Sequence, residues 1–269
     1  MKHIPTFESF LNEQSIVDLR EFVIRLGCSQ SQELMKKLYP YRSEELPSGT
    51  VDTIIEYLER CCAEGPSGYT TPKNYFDSMK YKTFMDYFTR RLSKETFNQI
   101  KKNKNLLSFP AECIVESFGD IHNTDEIIRL KVNYTDTVKD LKKAGISNVE
   151  DLKFVNMKLL KCFYHRIHSP ITGKITLLKS FDTKDEFFGD NTLWLVKINS
   201  DRKAVYLLLI GELSIQDFNF AIKEGDEVKM FQEIGNFIWG SQVILFFDPN
   251  EFPKIDIAKT KYFVGDRIA

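Results

Sequence analysis

No apolar run in this chain approaches the length of a membrane span. The longest, Ala204 to Ile210 (AVYLLLI), falls far short of the roughly 20 residues a spanning helix needs, so an integral membrane protein is not expected. Charge of one sign is lacking too. Lys and Arg total 37 against 38 Asp and Glu, a net charge of -1, which offers no general attraction to nucleic acid and leaves partners to be inferred locally. Cysteine is sparse: Cys28, Cys61, Cys62, Cys113 and Cys162 are odd in number, lack CxxC spacing and follow no apolar signal segment. That pattern predicts free thiols, no disulfides and a reducing, cytoplasmic compartment.

What is present divides into two styles of sequence. Within the first hundred residues, SIVDLREFVIRL (Ser15 to Leu26) and TVDTIIEYLERC (Thr50 to Cys61) space their apolar residues at three and four, with Ser15 and Thr50 as N-cap candidates. The Gly, Pro, Ser and Thr of EGPSGYTTPKN (Glu64 to Asn74) mark the clearest break in the chain. A third helix is predicted over YKTFMDYFTRRLSKE, ahead of the lysine-rich IKKNKN. From Leu106 onward short strands alternate with turn signals: LLSFPAECIVESFG, CFYHRIHSPITGKITLL, TLWLVKI, AVYLLLIGELSI, FNFAIKEGDEVKMF and NFIWGSQVILFF. One helical interruption is expected near Thr137 to Ala144. The fold class is α+β, a helical N-terminal region over residues 1–82 followed by a β-rich barrel or sandwich catalytic domain over 83–269.

Two features stand out within the β-rich part. KEGDEVK and YFVGDRIA share a Gly-Asp turn between strands, which reads as hairpin structure. Of only four histidines, His165 and His168 fall together in CFYHRIHSPITG. Cys162, His165 and His168 would share one face of a helix, but Pro170, Gly173 and the β-branched neighbours argue for a strand running into a turn, and no fourth ligand stands out. No metal site is expected.

The order TFMDYFTRRL, FPAECIV, YHRIHSPITG, IGELSI, QEIGNFIWGSQVILFF and VGDRIA, from about Thr83 to Ala269, resembles the pyruvoyl-dependent phosphatidylserine decarboxylases. YHR-x-H-x-P-x-x-G together with E-x-G-x-F-x-x-G-S is the specific combination. The resemblance gives the Gly240-Ser241 pair inside FIWGSQVILFF a chemical meaning. It implies that Ser241 attacks the Gly240 carbonyl, and that the resulting ester eliminates and hydrolyses to leave a pyruvoyl group, the covalent cofactor, on the new chain end. Glycine at 240 suits a strained acyl shift because it has no Cβ. A serine hydroxyl needs a base, and the resemblance assigns that role to His168 with Glu112 as its orienting acid. His165 is the candidate proton donor to the substrate, which the pyruvoyl group would hold as a Schiff base while CO2 departs.

The chain also departs from the family pattern. Gln242 stands where threonine is usual, Trp239 replaces leucine, Cys113 replaces the glycine after the acid, Phe163 replaces an aspartate, Glu112 replaces aspartate, and Glu212 stands where a small residue is typical. The leading expectation is a self-processing enzyme converting phosphatidylserine to phosphatidylethanolamine. A soluble pyruvoyl-dependent amino-acid decarboxylase and a degenerate, non-catalytic binding relative are the alternatives. Expected partners are a phospholipid or amino-acid substrate, a peripheral membrane contact, the chain's own cleaved α and β chains and a homodimer, with no nucleic acid. REFVIRLG (Arg20 to Gly27) and YFDSMKYKTFMDYFTRRL (Tyr75 to Leu92) are the candidate membrane-surface segments.

Overall fold

The computed structural model describes residues 19–20, 23–65, 68, 70, 72, 74–77, 79–121, 142, 146, 149–185, 189–201, 203–211, 218–238, 242–252 and 254–269. The chain divides into two units, Met1–Ser93 and Lys94–Ala269. Ser15, Glu212 and nearly all of the helical interruption expected at Thr137 to Ala144 lie outside the described residues.

In the first unit, residues 19–20 and 23–25 are helical, followed by α1 (Ser31–Leu38), α2 (Thr50–Glu64) and α3 (Phe84–Phe88). Helix α2 buries Val51, Ile54, Tyr57, Leu58 and Cys62, the three-and-four spacing that packs one helical stripe. Its N-cap is Gly49 at φ 81° rather than Thr50, which is the first helical residue. Helix α3 starts with a reciprocal cap: Thr83 Oγ1 accepts from the Asp86 N–H at 3.0 Å, and Asp86 Oδ2 accepts from the Thr83 N–H at 2.9 Å. The long helix expected over residues 81–95 stops at Phe88, because the next residues serve other contacts. Arg90 is buried over the rings of Phe76 and Tyr87, and Leu92 bridges to Phe76.

The expectation of five free thiols is corrected here. Cys28 and Cys61 form a disulfide with Cα atoms 5.1 Å apart, while Cys113 is a buried free thiol. Packing brings the pair together: Tyr57, one helical turn before Cys61, donates its hydroxyl to the carbonyl of Gly27, the neighbour of Cys28. No spacing rule in the sequence contains that contact.

The second unit opens with α4 (Lys94–Ile100) and continues as β1 (Cys113–Asp120), β2 (Lys153–Lys158), β3 (Arg166–His168), β4 (Gly173–Asp185), β5 (Gly189–Ser200), β6 (Lys203–Ile210), β7 (Phe218–Phe220), β8 (Glu227–Val228), β9 (Glu233–Phe237), β10 (Gln242–Phe247) and β11 (Lys261–Tyr262). Eight strands form one sheet in the order β11-β1-β2-β10-β6-β5-β4-β8, and three form a second, β3-β9-β7. Every pairing in both sheets is antiparallel. Among the described residues the ends of the large sheet do not pair with each other, so the architecture is α+β with an open sheet and no closed barrel.

The central strands explain the unbroken apolar runs. All six residues of β10 and the last six of β6 are buried, so neither strand has a solvated face and neither needs to alternate. One face is a cluster of Phe154, Tyr206, Leu208, Ile210, Ile244 and Phe246, joined by Ile121, Val149 and Leu152. The other carries Val155, Met157, Leu207, Leu209, Val243, Leu245 and Phe247, all fully buried. Strand β2 lies between β1 and β10, yet residues 153–158 carry no strand expectation. With Lys153 and Lys158 at its ends and Asn156 inside, its sequence looks like neither an alternating nor an apolar strand.

The two Gly-Asp turns share one design, but neither closes the expected hairpin: the first leads from β7 of the small sheet to β8 of the large one, and the second follows β11. Gly225 and Gly265 have φ of 95° and 83°, and each following aspartate caps the turn: Asp226 Oδ2 accepts from the Lys223 N–H at 3.0 Å and Asp266 Oδ2 from the Phe263 N–H at 2.9 Å.

Candidate active site

The segment read as one interrupted strand is two strands in two sheets. Strand β9 ends at Phe237 in the small sheet, and β10 begins at Gln242 in the middle of the large one. Trp239, Gly240 and Ser241 connect them and lie outside the described residues. Both ends of the connection are anchored. The Phe237 N–H donates to the His165 carbonyl at 3.0 Å, and Gln242 Nε2 donates to Asn156 Oδ1 at 2.7 Å.

Strand β3 carries His168 and is clamped from two directions. The His168 N–H donates to the Pro110 carbonyl at 2.8 Å, the Ser169 N–H to the Gln232 carbonyl at 2.8 Å, and the Phe231 N–H to the Ser169 carbonyl at 2.9 Å. Arg166, two residues before His168, holds the Glu233 carboxylate at 2.5 Å. The backbone therefore brings PAEC, YHRIH and the turn before β9 to one place.

The imidazole of His168 is 3 % exposed, and both of its nitrogens are engaged. Nδ1 lies 2.7 Å from the Phe231 carbonyl, which can only accept, so Nδ1 carries the proton. Nε2 then presents its lone pair to the Tyr164 hydroxyl at 2.9 Å. The Tyr164 ring stacks on His168 at 5.7 Å between centroids, and Phe97 lies at 6.2 Å on a tilted face. Burial pushes the His168 pKa down, against smaller upward pulls from the Phe231 carbonyl and the Glu233 charge and a further small downward push from Arg166. The ring is thus held neutral, with a basic nitrogen at Nε2.

Glu112 is fully buried, and its Oε2 accepts from the Tyr164 N–H at 2.8 Å. The orienting contact expected between Glu112 and His168 is therefore made by the Phe231 carbonyl, while Glu112 fixes the residue whose hydroxyl reaches Nε2. The longer acid and the chain path place the carboxylate at the Tyr164 backbone. His165 is also fully buried, and its Nδ1 donates to the Phe163 carbonyl at 2.9 Å. Cys113, next to Glu112, has its thiol pKa pushed well up, first by burial and then by the Glu112 charge, so it is no nucleophile at neutral pH.

Tyr164 and Phe231 carry no role in the sequence reading. Tyr164 has a visible signal, because it opens the YHRIH motif. Phe231 has none. Its φ of 68° is a left-handed conformation that a bulky residue rarely adopts, and it costs on the order of 1–3 kcal/mol. The strain aims the carbonyl that holds His168 Nδ1.

The second unit thus combines an open antiparallel sheet, whose inner strand β10 starts at Gln242, with a buried neutral histidine at the end of β3. The phosphatidylserine decarboxylase family model matches residues 84–269, well over half of the chain. The chain belongs to that family. It is 27 % identical over 260 residues to the phosphatidylserine decarboxylase proenzyme of Francisella philomiragia subsp. philomiragia, covering 82 % of this chain and 86 % of that one. It is 27 % identical over 195 residues to proenzyme 2 of Komagataella phaffii, covering 66 % of this chain and 19 % of that much longer one. The proenzyme of Francisella tularensis subsp. novicida is 30 % identical over 145 residues, 52 % of this chain and 49 % of its own length.

Proposed function

We propose that this chain is a self-processing, pyruvoyl-dependent decarboxylase that converts phosphatidylserine to phosphatidylethanolamine. The observation that carries the reading is the state of His168: buried, neutral, protonated at Nδ1 by its bond to Phe231, and basic at Nε2. A base of that kind is what a serine hydroxyl needs in order to attack a peptide carbonyl.

Cleavage begins when Ser241 Oγ bonds to the Gly240 carbonyl carbon and gives its proton to the Tyr164 hydroxyl, which passes its own to His168 Nε2. The ester forms as the 240–241 amide breaks and Ser241 recovers its amine. Elimination then frees the Gly240 carboxylate, and hydrolysis with loss of ammonia leaves the ketone on the new chain end. The residues around the connection fit such a group, since a chain end at 241 is carried by Gln242, the first residue of a strand that is laddered on both sides and buried along its length. When present, a pyruvoyl ketone condenses with a substrate amine and accepts the electron pair released as CO2 departs. Tyr164 holds Nε2 of His168 in line, and Glu112 holds Tyr164. His165, its Nδ1 held by the Phe163 carbonyl, takes at Nε2 the proton that the substrate amine sheds on condensing and returns it to the decarboxylated carbon.

The relatives named above are all phosphatidylserine decarboxylases, which favours the lipid over a free amino acid. A lipid substrate must be met at a bilayer, and no helix among the described residues is long and apolar enough to cross one. Contact is by the surface. Lys101, Lys102 and Lys104 are exposed beside Leu106, itself 50 % exposed, a cationic and apolar patch suited to anionic lipid.

Intact-mass measurement tests the first step. Purified protein should resolve into a 240-residue chain and a 29-residue chain, the remainder of the 269. The shorter chain should resist Edman degradation and gain mass with borohydride. Processed enzyme should float with anionic vesicles and release CO2 from phosphatidylserine. A chain that stays whole on prolonged incubation overturns the cleavage reading, and a processed enzyme that decarboxylates only free amino acids overturns the lipid reading.

A further inference from the structure

The cut strand carries a polar side chain where its neighbours are apolar. On one face of the large sheet, Gln242, Ile244 and Phe246 of β10 lie across from Lys158, Asn156 and Phe154 of β2 and from Ile210, Leu208 and Tyr206 of β6. All of the β10 and β6 residues in that row belong to the buried cluster except Gln242. Gln242 is 1 % exposed and Asn156 3 %. Their amides meet diagonally, Gln242 Nε2 donating to Asn156 Oδ1 at 2.7 Å.

Chain ends fray, and an inner strand that becomes a chain end loses the covalent hold on its first residue. Gln242 is that residue if cleavage falls between Gly240 and Ser241, so this inference rests on the function proposed above. Apolar packing along β10 holds the strand in the sheet but is indifferent to small shifts along it. A hydrogen bond between two buried amides is directional. It also fixes register, because a one-residue slip of β10 would turn Gln242 to the opposite, wholly apolar face and take from Asn156 its amide partner.

We infer that Asn156 and Gln242 are positioning residues: their buried amide pair pins the backbone N–H of residue 242, which carries the reactive group after cleavage and the attacking Ser241 before it. The pair acts on geometry and touches neither substrate nor the migrating acyl carbon.

The test separates position from stability. In N156L/Q242L both amides become apolar groups of similar size, which keeps the sheet folded. Its melting temperature should stay within a few degrees of wild type, while conversion of precursor to the two chains slows by about 10- to 100-fold, the scale set by small misplacements of reacting groups. N156D keeps an acceptor for Gln242 Nε2. It should melt lower than the double variant, since a carboxylate is buried, and still cleave faster. Q242N, an amide one methylene shorter that cannot span the gap, gives a third reading if the double variant does not fold; it too should cleave slowly. In the processed fraction of each variant, kcat should fall with KM unchanged. Cleavage at the wild-type rate in N156L/Q242L or Q242N, or rates that follow melting temperature across the set, would overturn this inference alone. A wild-type chain that never cleaves overturns the underlying function and this inference with it.

Discussion

Replacing Phe231 by alanine and, separately, by glycine should rank the two variants against the usual order. The ring of Phe231 is 4 % exposed, so losing it costs about 3–5 kcal/mol in either case. The variants differ in backbone alone. At φ 68° an L-residue bears about 1–2 kcal/mol of left-handed strain, which alanine keeps and glycine sheds. Glycine loses about 0.4–1 kcal/mol of this advantage to the greater freedom of its unfolded chain. The balance favours glycine by about 0.5–1 kcal/mol, equivalent to about 1–4 °C in melting temperature for a domain of this size. Thermal and urea unfolding should be read on a Ser241→Ala background, so that uncleaved chains are compared. F231A equal to or more stable than F231G would refute the claim that a strained backbone aims the Phe231 carbonyl at His168. Because the carbonyl belongs to the backbone, F231G on the wild-type background should still cleave.

Three further outcomes follow from the same geometry. His168→Ala should accumulate precursor almost completely, and Glu112→Gln partially, because an amide oxygen can still accept from the Tyr164 N–H; His165→Ala should cleave and then turn over poorly, all read as chain ratios on a denaturing gel. The depressed pKa of His168 means that the unfolded state binds the extra proton first. Stability should therefore be complete above about pH 6.5, the ordinary histidine value, and decline as pH falls below it toward the folded pKa, while the cleavage rate should hold below pH 6.5 because the imidazole is still neutral; a cleavage rate halved at pH 6.5 would contradict the assignment. After cleavage the two chains should co-elute in native buffer and separate only in denaturant, since β10 pairs with β2 and β6 on its two sides and buries Val243, Ile244, Leu245, Phe246 and Phe247 fully, an upper figure on the order of 10 kcal/mol.

The sequence by itself determined the α+β class, many of the strand positions from Leu106 onward and the residue types of the candidate site. Its signals are local: three-and-four spacing, apolar runs, Gly-Asp turns and a motif read in order. For the same reason it could not find β2, whose lysines and asparagine make sense only beside β1 and β10. Nor could it see that FIWGSQVILFF belongs to two sheets, because a change of sheet is written in pairing partners and leaves the run of residue types unbroken. The Cys28–Cys61 bridge, the hold of Phe231 on His168 and the placement of Glu112 on Tyr164 were decided by tertiary structure alone. Each joins residues 33 to 63 positions apart, and a hydrogen bond or disulfide over such separations depends on backbone paths that no local propensity encodes.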